Sequence, residues 1–331
     1  MTISISQISF PIDLVYLWVD DNDPIWKKKR DSFLAENINK STEVAGDARW
    51  RNNDELKYSL RSVEKFAPWI NHIYIITDQQ IPSWLNTKHP KISIVDHKDI
   101  LPKQALPIFN SQAIESCIHK IPNLSEHFIL GNDDLLFVKP TTPNIFFNEK
   151  GNAIVRMKHF SRKKAQKGNY HRTIKRMQDL IFEKFGKMIP LAPHHSFDAY
   201  LKSDYEFCVT NYYKEKWKET AFQRFRSEDD MQRCFVSYYM IVIGHAVLRK
   251  VGRYNRIDGL WNKIKAFLTH RYANDSRCID LNISDYNAAM KKYNPIMICM
   301  NDNQNTTESH REKLVPFLEH LFPQPSSFEK N

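Results

Sequence analysis

Residues His127–Pro140 read HFILGNDDLLFVKP, in which two apolar runs flank a Gly-Asn-Asp-Asp cluster. The first run has the composition of a buried strand, so Asn132, Asp133 and Asp134 follow at its end. Adjacent carboxylates at such a place can hold a divalent metal ion, which in turn can hold a diphosphate. The same letters also suit a β-turn between two strands. This stretch alone leaves the turn and the metal site as alternatives.

A second acid-rich loop follows the strand predicted nearest the N-terminus. The apolar run IDLVYLWV at 12–19 leads into DDNDP at 20–24. Asp20 and Asp23 are candidates for binding a metal ion or the ribose of a nucleotide. Asp23 also suits the N-cap of a following helix, with Pro24 in its first turn. Both interpretations stay open.

Strand and helix patterns alternate over residues 10–140, which predicts an α/β layer with a largely parallel sheet. Further strands are predicted at 73–77 and 92–95, and helices at 56–67 and 111–121. Ligands of such sheets bind outside the carboxyl ends of the strands. Both acidic clusters would lie at such ends, which favours a metal and nucleotide site over two unrelated turns.

The second half of the chain has a different character. Its run 156–176 is rich in lysine and arginine, and helices are predicted at 172–185, 230–250, 284–292 and 307–321. A short strand at 296–300 leads into Asn301 and Asp302, a third polar cluster after an apolar run. We predict an α/β core at 1–150 and a mainly helical part at 151–331 that completes the active site, together forming one integrated catalytic domain.

Composition limits the class of protein and its partners. The 331 residues carry a net charge of +10 and are 42% hydrophobic, which predicts a folded protein with an anionic partner. The five dispersed cysteines favour a reducing compartment over a disulfide framework or a zinc site. The N-terminus lacks the features of a signal peptide, and the apolar run 235–248 is too short for a membrane span. We expect a cytoplasmic protein, peripheral at the inner face of the membrane if its acceptor is lipid-linked.

Several basic residues stand where phosphate binding is expected. Arg51 precedes a predicted helix start at Asn53 and Asp54, and an arginine there opposes the helix dipole but suits a phosphate. Arg226 lies two residues after Arg224, so an extended chain would place both on one face. The alternative for this pair is salt bridging with the acids at 228–230.

Two adjacent histidines, His194 and His195, are candidates for proton transfer. Adjacent side chains point in different directions, so we expect at most one of them to face a given site. Near phosphates, histidine can act as the general base for a hydroxyl. The alternative is a structural role. The basic run 156–176 is open among a solvated face, a nucleic-acid surface, and a surface for an acidic glycan or a membrane.

Four stretches together resemble the Stealth family of sugar-phosphate transferases. They are IDLVYLWVDDNDP at 12–24, the region from RWRNNDELKYSL at 49 to FILGNDDLLFVKP, the region from APHHSFDAY to RFRSEDDMQ at 192–232, and ICMNDNQN at 298–305. Asp21 and Gly131 depart from the residues usual in the family at those positions. No P-loop, Gly-x-Gly-x-x-Gly or Gly-x-Ser-x-Gly is present, so the sequence does not support an ATPase, dinucleotide dehydrogenase or serine hydrolase.

The resemblance implies a Rossmann-like or GT-A-like sheet and a specific reaction. Hexose-1-phosphate or N-acetylhexosamine-1-phosphate would pass from a UDP-sugar to a glycan hydroxyl in capsule or exopolysaccharide synthesis, forming a phosphodiester and releasing UMP. Mg²⁺ or Mn²⁺ would be the cofactor, and nucleic acid is not expected as a partner. Matching positions assign catalysis to Asp133, His194 and Arg226. Binding of substrate and nucleotide would fall to Asp20, Asp23, Arg51, Asn53, Asp54, Asn132 and Asp134, and metal binding to Asp133, Asn301 and Asp302.

Two other functions remain as alternatives. A metal-dependent glycosyltransferase would use the same donor but attack the anomeric carbon and release UDP. A nucleic-acid-binding module would explain the net charge and the basic run. It would leave the three acidic clusters without a role, because carboxylates repel the phosphate backbone.

Overall fold

A computed structural model describes residues 8–35, 50–163, 168–251 and 275–330. The strands are β1 Ile12–Leu17, β2 Ile73–Thr77, β3 Ile92–Asp96, β4 His127–Asn132, β5 Leu135–Phe137, β6 Ala153–His159, β7 Leu191–Pro193, β8 Asp198–Leu201, β9 Ala246–Lys250, β10 Ser276–Asp280 and β11 Met297–Asn301. The α-helices are α1 Pro24–Ala35, α2 Glu55–Phe66, α3 His97–Ile100, α4 Ser111–Glu115, α5 Asn169–Phe185, α6 Lys202–Asn211, α7 Lys214–Phe222, α8 Cys234–Ile243, α9 Tyr286–Tyr293, α10 Glu308–Arg311 and α11 Leu314–Leu321. Short 3₁₀ turns lie at Lys103–Ala105, Ile118–Lys120 and Pro143–Ile145.

The main sheet has the strand order β3-β2-β1-β4-β8. Strands β1 to β4 are parallel, and β8 pairs with β4 in the antiparallel direction. The order of the four parallel strands is the one found in Rossmann-like folds, and helices lie in the connections from β1 to β2 and from β3 to β4. The predicted α/β class with a mostly parallel sheet is therefore confirmed.

Two smaller sheets flank this core. One has the order β10-β11-β5, so that β5, which follows the Asp133-Asp134 turn, pairs with β11 near the C-terminus. The other has the order β7-β6-β9. The second half of the chain thus contains most of the longer helices and also strands that pair in all three sheets. Division of the chain at residue 150 into core and completing part stays a prediction.

The predicted helix at 230–250 is wrong at its C-terminal end. Helix α8 stops at Ile243, and Gly244 follows in the left-handed conformation with a φ of 85°. A residue with a side chain rarely adopts this conformation, so glycine ends the helix here. The chain then forms β9, which pairs in parallel with β6. Among the described residues no helix is both long and apolar enough to cross a membrane.

The main sheet is buried because its strands are almost wholly apolar. Ile12, Leu14, Val15 and Tyr16 of β1 are at most 2% exposed. The hydroxyl of Tyr16 lies 2.7 Å from the Ser59 hydroxyl on α2, so the buried polar group has a partner. This packing fixes α2 against the sheet and with it the carboxyl ends of β1 and β4.

Gly131 on β4 has no room for a side chain. A Cβ atom built there would lie 2.6 Å from Cε1 of Phe197, a ring that is 1% exposed. Phe197 is stacked on Phe137 with ring centroids 4.5 Å apart, so it cannot easily move away. Glycine at 131 therefore lets this aromatic pair pack directly on the strand that leads to Asp133.

Candidate active site

A cavity of about 390 Å³ opens at the carboxyl ends of the parallel strands. The ends of β1, β4, β7 and β11 converge on it. Eight of the residues predicted for function line this cavity: Arg51, Asn132, Asp133, Asp134, His194, Arg226, Asn301 and Asp302. Asp20, Asp23, Asn53 and Asp54 are not among the lining residues. The clusters at 132–134 and 301–302 thus meet at the cavity, whereas the loop of Asp20 and Asp23 contributes neither acid to its lining.

Asp20 and Asp23 hold the first loop together. Asp23 accepts hydrogen bonds from the backbone of Ile25 and Trp26, which caps α1, and its pKa is lowered chiefly by a hydrogen bond from Gln80. The amide of Gln80 also bonds both backbone groups of Asp20. The capping alternative for Asp23 is therefore what the structure shows, and a nucleotide role for either acid stays a prediction.

Asn53 and Asp54 directly precede Glu55, which the sequence did not identify as a site residue. The side-chain amide and the backbone N–H of Asn53 donate to the two oxygens of Glu55 at 2.6 and 2.7 Å. Asp54 lies in the left-handed conformation with a φ of 64°. Glu55 is 3% exposed and lines the cavity. An acid in the first turn of a helix is fully explained by the helix dipole, so no separate signal in the sequence marked Glu55 as a site residue.

Three carboxylates stand close together in the cavity. Burial raises the pKa of Glu55 to about 7, and the charge of Asp134 adds to the effect. Burial, followed by the charges of Glu55 and Asp134, holds the pKa of Asp133 well above its usual range. Such mutual repulsion is relieved by a bound cation. Asp133 and Asp134 form the turn between β4 and β5, so the turn alternative is what the structure shows, and a metal site on the same carboxylates stays a prediction.

Asp302 is held by two arginines. Its Oδ2 atom lies 3.4 Å from Nη1 of Arg51 and 2.9 Å from Nε of Arg311. The other oxygen, Oδ1, is buried without a hydrogen-bond partner among the described residues. The side-chain nitrogen of Asn301 donates a hydrogen bond to Asp280 at 2.6 Å. The side-chain oxygen of Asn301 takes no part in this bond.

Arg226 and Arg233 both line the cavity but differ in their partners. Arg233 forms ion pairs with Glu115 at 2.7 Å and Asp198 at 3.2 Å, so its charge is neutralised locally. Arg226 donates to the Ser111 hydroxyl at 2.5 Å and has no carboxylate within 4.0 Å among the described residues. The proposed alternative of salt bridges to the acids at 228–230 is therefore not what the structure shows for this residue.

Both His194 and His195 line the cavity, contrary to the expectation that only one would. They follow the last residue of β7 in an irregular bend, where the alternation of a strand does not apply. Burial, followed by the cations Lys158 and His195, lowers the pKa of His194 to about 3. For His195 burial opposes the charged ring, but Asp134 outweighs it and raises the pKa.

One end of the cavity combines aromatic walls with buried polar atoms. Trp26 contacts Phe109 edge-on, with ring centroids 5.5 Å apart. Nε1 of Trp26, Nδ1 of His97 and Oε1 of Gln112 are buried without a hydrogen-bond partner among the described residues. Each such group costs free energy unless a ligand or water satisfies it. These lining residues therefore suit a flat ligand that carries both donors and acceptors.

Much of the basic run at 156–176 is paired with acids from other parts of the chain. Arg156 is 2% exposed and bonds Asp275 at 2.9 Å. Asp179 pairs with Arg162 at 2.5 Å and with Lys175 at 2.7 Å. Asp275 lies 119 residues from Arg156, so the sequence did not indicate it as a partner, whereas Asp179 follows Lys175 by one turn of α5. Residues 164–167 of the run lie outside the described part of the chain.

Three family models match separate regions of the chain. They are described as Stealth protein CR1, conserved region 1, at residues 10–38; Stealth protein CR2, conserved region 2, at 49–155; and Stealth protein CR4, conserved region 4, at 290–331. Together they include the loops of Asp23, Asp133 and Asp302.

Curated relatives match almost the whole chain. The exopolysaccharide phosphotransferase cps2G of Lactiplantibacillus plantarum is 34% identical over 356 residues, covering 97% of each protein. The exopolysaccharide phosphotransferase SCO6023 of Streptomyces coelicolor is 33% identical, covering 98% of this chain and 53% of the relative. The exopolysaccharide phosphotransferase CpsY of Mycobacterium tuberculosis is 33% identical, covering 98% of this chain and 59% of the relative. The chain thus spans nearly all of one relative and little more than half the length of the others.

Solved structures show a distant likeness. The galactosyltransferase LgtC in complex with donor and acceptor sugar analogs has a TM-score of 0.43 and 10% sequence identity, covering 95% of this chain and 98% of that one. An active-site mutant of LgtC has a TM-score of 0.41 with the same identity and coverage.

Proposed function

The chain belongs to the Stealth family, and on this premise we propose that it is a polysaccharide phosphotransferase. It moves a hexose-1-phosphate or N-acetylhexosamine-1-phosphate from a UDP-sugar to a hydroxyl of a capsular or exopolysaccharide glycan. The acceptor oxygen attacks the phosphorus that bears the sugar, and the bond from this phosphorus to the oxygen bridging to UMP breaks. UMP leaves, the hydroxyl proton passes to a base, and the product is a phosphodiester.

The unpaired charge of Arg226 is the observation that carries this proposal. A guanidinium that lines a cavity without an ion pair attracts an anion, and its planar fork suits two phosphate oxygens. Ser111 holds one nitrogen of the fork and so orients the remaining ones. Charge that develops on the attacked phosphate would be stabilised here without reorganisation.

The carboxylates that line the cavity fit a divalent metal ion. Hard cations such as Mg²⁺ and Mn²⁺ take oxygen ligands, and the pKa values of Glu55 and Asp133 are raised by burial first and then by neighbouring carboxylates. We assign the ion to Asp133, to the free Oδ1 of Asp302 and to the amide oxygen of Asn301, with Glu55 close by. When bound, the ion would offset the charge of the diphosphate.

We propose that His194 is the base that takes the proton from the acceptor hydroxyl. Its environment keeps the imidazole ring neutral, so the ring can accept this proton. The cations that depress its pKa, Lys158 among them, would be partly neutralised once an anionic donor is bound. The pKa would then rise toward the range in which histidine is an effective base. Asn132 and Asp134 line the same region and are proposed to meet the sugar or the diphosphate.

The aromatic end of the cavity is proposed to take the uracil ring. Uracil offers a ring N–H and two carbonyl oxygens, which complement the unpartnered atoms of Trp26, His97 and Gln112. Other aromatic rings that line the cavity, Phe109 among them, would pack on the flat faces of the base. Arg51 contacts Asp302, and we propose that it neutralises part of the diphosphate charge.

The released nucleotide tests the reaction. Incubation with a panel of UDP-sugars and a capsule oligosaccharide should release UMP, and ³¹P NMR should show a phosphodiester signal in the glycan. Release of UDP would instead establish the glycosyltransferase alternative. Negligible binding of nucleic acid near physiological salt is expected, because the described part of the basic run is largely paired. A lipid-linked acceptor and peripheral contact with the membrane remain proposals, for which UMP release in the presence of membranes is the measurement.

A further inference from the structure

The structure brings together three side chains of mixed chemistry at the edge of the cavity: Asp134, His195 and Cys299. One carboxylate oxygen, one ring nitrogen and the sulfur all lie within 4.8 Å of one another. Sγ of Cys299 lies 3.0 Å from Oδ2 of Asp134, and Nε2 of His195 lies 3.8 Å from the same oxygen. From these contacts we propose that the three residues form a binding site for a soft divalent cation such as Zn²⁺, chemically distinct from the all-oxygen magnesium site.

Different parts of the fold hold these ligands in place. The backbone N–H of Met300, beside Cys299, donates to the carbonyl of Asp134 at 2.9 Å, which joins the start of β5 to β11. His195 follows β7, and its own carbonyl accepts a hydrogen bond from Ser276 at the start of β10. The backbone at all three residues is thus held by hydrogen bonds between neighbouring segments.

The observed separations are close to those that a tetrahedral ion requires. Zinc binds sulfur at about 2.3 Å and nitrogen or oxygen at about 2.0–2.2 Å, so two ligand atoms of one ion are about 3.4–3.6 Å apart. The separations of 3.0 Å between Cys299 and Asp134 and 3.8 Å between His195 and Asp134 fall on either side of this value. Small rotations of the side chains would therefore complete the geometry.

Two of the three residues have a polar side-chain atom without a hydrogen-bond partner in the described part of the chain. Oδ1 of Asp134 and Nε2 of His195 are buried without a hydrogen-bond partner among the described residues. The 3.8 Å contact between His195 and Asp134 is too long for a hydrogen bond. A cation between these atoms would satisfy both, whereas the ligand-free arrangement leaves them without partners.

The site is also open on one side. Cys299 is buried in the strand, whereas Asp134 and His195 line the cavity. Three protein ligands with one free position are typical of zinc sites that take a further oxygen ligand from solvent or substrate. A second thiol, Sγ of Cys278, lies 3.9 Å from that of Cys299. Sulfur and imidazole ligands select Zn²⁺ over Mg²⁺, since the softer donors suit the softer ion.

The sequence did not indicate this site because its ligands lie far apart along the chain. Cys299 and Asp134 are separated by 165 residues, and no Cys-x-x-Cys spacing is present. One consequence rests on the proposed function: Asp134 lies beside the magnesium ligand Asp133, so Zn²⁺ at this site would compete with Mg²⁺-dependent transfer.

Cobalt titration of the full chain tests the proposal without any sugar nucleotide. After removal of metals with a chelator, Co²⁺ should bind and produce a thiolate-to-cobalt charge-transfer band in the near ultraviolet, and Zn²⁺ should abolish it. Cys299→Ser should remove the band. His195→Ala should keep the sulfur contact but weaken Co²⁺ binding by about 100-fold, as expected for loss of a ligand.

Cys117→Ser is the matched control, because Cys117 is buried and does not line the cavity. It should leave the band unchanged. Lack of a band in the wild-type chain, its persistence in Cys299→Ser, or unchanged Co²⁺ affinity in His195→Ala would each overturn the proposal. If Cys299→Ser does not fold, the partly exposed His195 still provides the test. UMP release with Mg²⁺ is measured separately, so failure of one proposal leaves the other standing.

Discussion

Nη1 of Arg51 lies 3.4 Å from Oδ2 of Asp302, and the two residues are 251 positions apart in the sequence. Arg51 stands just ahead of α2, and Asp302 follows β11. Both residues line the cavity, so the pair joins conserved region 2 to conserved region 4 at this place.

Replacing Arg226 should abolish most of the transferase activity. Arg226→Ala should lower kcat/KM by about 100-fold or more, because it removes a charge aimed at the phosphate. Arg226→Lys should recover only part of this loss, since lysine lacks the planar fork. Steady-state UMP release measures both. Arg224→Ala is the control: Arg224 bonds the Pro107 carbonyl outside the cavity, and this variant should keep near wild-type activity.

Replacing His194 should also reduce the rate. His194→Ala should lower kcat by about 100-fold, as expected for loss of a general base. His195→Ala separates the two neighbours, because it should impair the cobalt site rather than proton transfer. Near wild-type turnover in His194→Ala would remove this residue from the mechanism and point to another base.

Magnesium should stabilise the chain through the carboxylate cluster. At 100 times its dissociation constant, a ligand that binds only the folded state adds about 2.7 kcal/mol to the free energy of unfolding. Thermal unfolding should show this shift for the wild type and lose it in Asp133→Asn. Asp20→Asn should keep it, because Asp20 lies outside the cavity. A full magnesium shift in Asp133→Asn would show that Asp133 is not a ligand.

Gln112→Met should weaken nucleotide binding without weakening the fold. The change removes a buried oxygen that has no partner in the ligand-free chain, so the free energy of unfolding should stay the same or rise. The dissociation constant for UMP should increase by about tenfold, measured by tryptophan fluorescence. Gln178→Met provides the opposite case: its amide bonds the Leu191 carbonyl, so stability should fall while UMP binding persists.

Acid should destabilise the chain through two buried histidines. Burial lowers the pKa of both His97 and His119 from 6.5 to about 4. Between pH 6.5 and 4 these histidines are protonated in the unfolded chain but not in the folded chain. Their contribution to the free energy of unfolding is therefore fully present above pH 6.5 and is lost as the pH falls toward 4. Each histidine contributes a slope of up to about 1.4 kcal/mol per pH unit. Denaturant unfolding should show the slope, and His119→Phe should make it shallower; an unchanged slope would contradict this.

The buried arginine of α2 depends on the C-terminal segment. Arg61 forms two hydrogen bonds of 2.8 Å with Glu329, whose side chain is 9% exposed. Glu329→Ala should cost about 3–5 kcal/mol, because it leaves a buried charge without its partner. Glu319→Ala removes a contact of the same arginine with a side chain that is 49% exposed, and should cost at most about 1 kcal/mol. Urea unfolding distinguishes the two; equal losses would show that burial does not control the pair.

The fold was predictable where local composition and tertiary structure agree. β1 and β2 are buried on both faces, so their sequences are continuous apolar runs, and the observed bounds match the expected ones closely. The helix predicted through Gly244 failed because an apolar run does not distinguish a buried helix from a buried strand. Gly244, in the left-handed conformation, and His245 separate α8 from β9.

The site was predictable where a polar cluster ends a strand. Asp133 and Asp302 fall at such ends and meet in the cavity. Glu55 was missed because an acid in the first turn of a helix has an ordinary explanation in the helix dipole. Only its burial, seen in the structure, marks it as unusual. Cys299 was missed because an apolar strand is an ordinary place for a cysteine. These roles depend on contacts between distant segments, which a single sequence does not contain.

The contact between Gly131 and Phe197 links two positions that must change together. A family member with a larger residue at 131 has no space for the phenyl ring, so it needs a smaller side chain at 197. Phe197 comes two residues after His195, and its ring anchors that bend against the sheet. The size of one residue on β4 therefore determines where the histidine loop can lie. A transfer of the active-site loop between relatives would have to carry the residue at 131 with it.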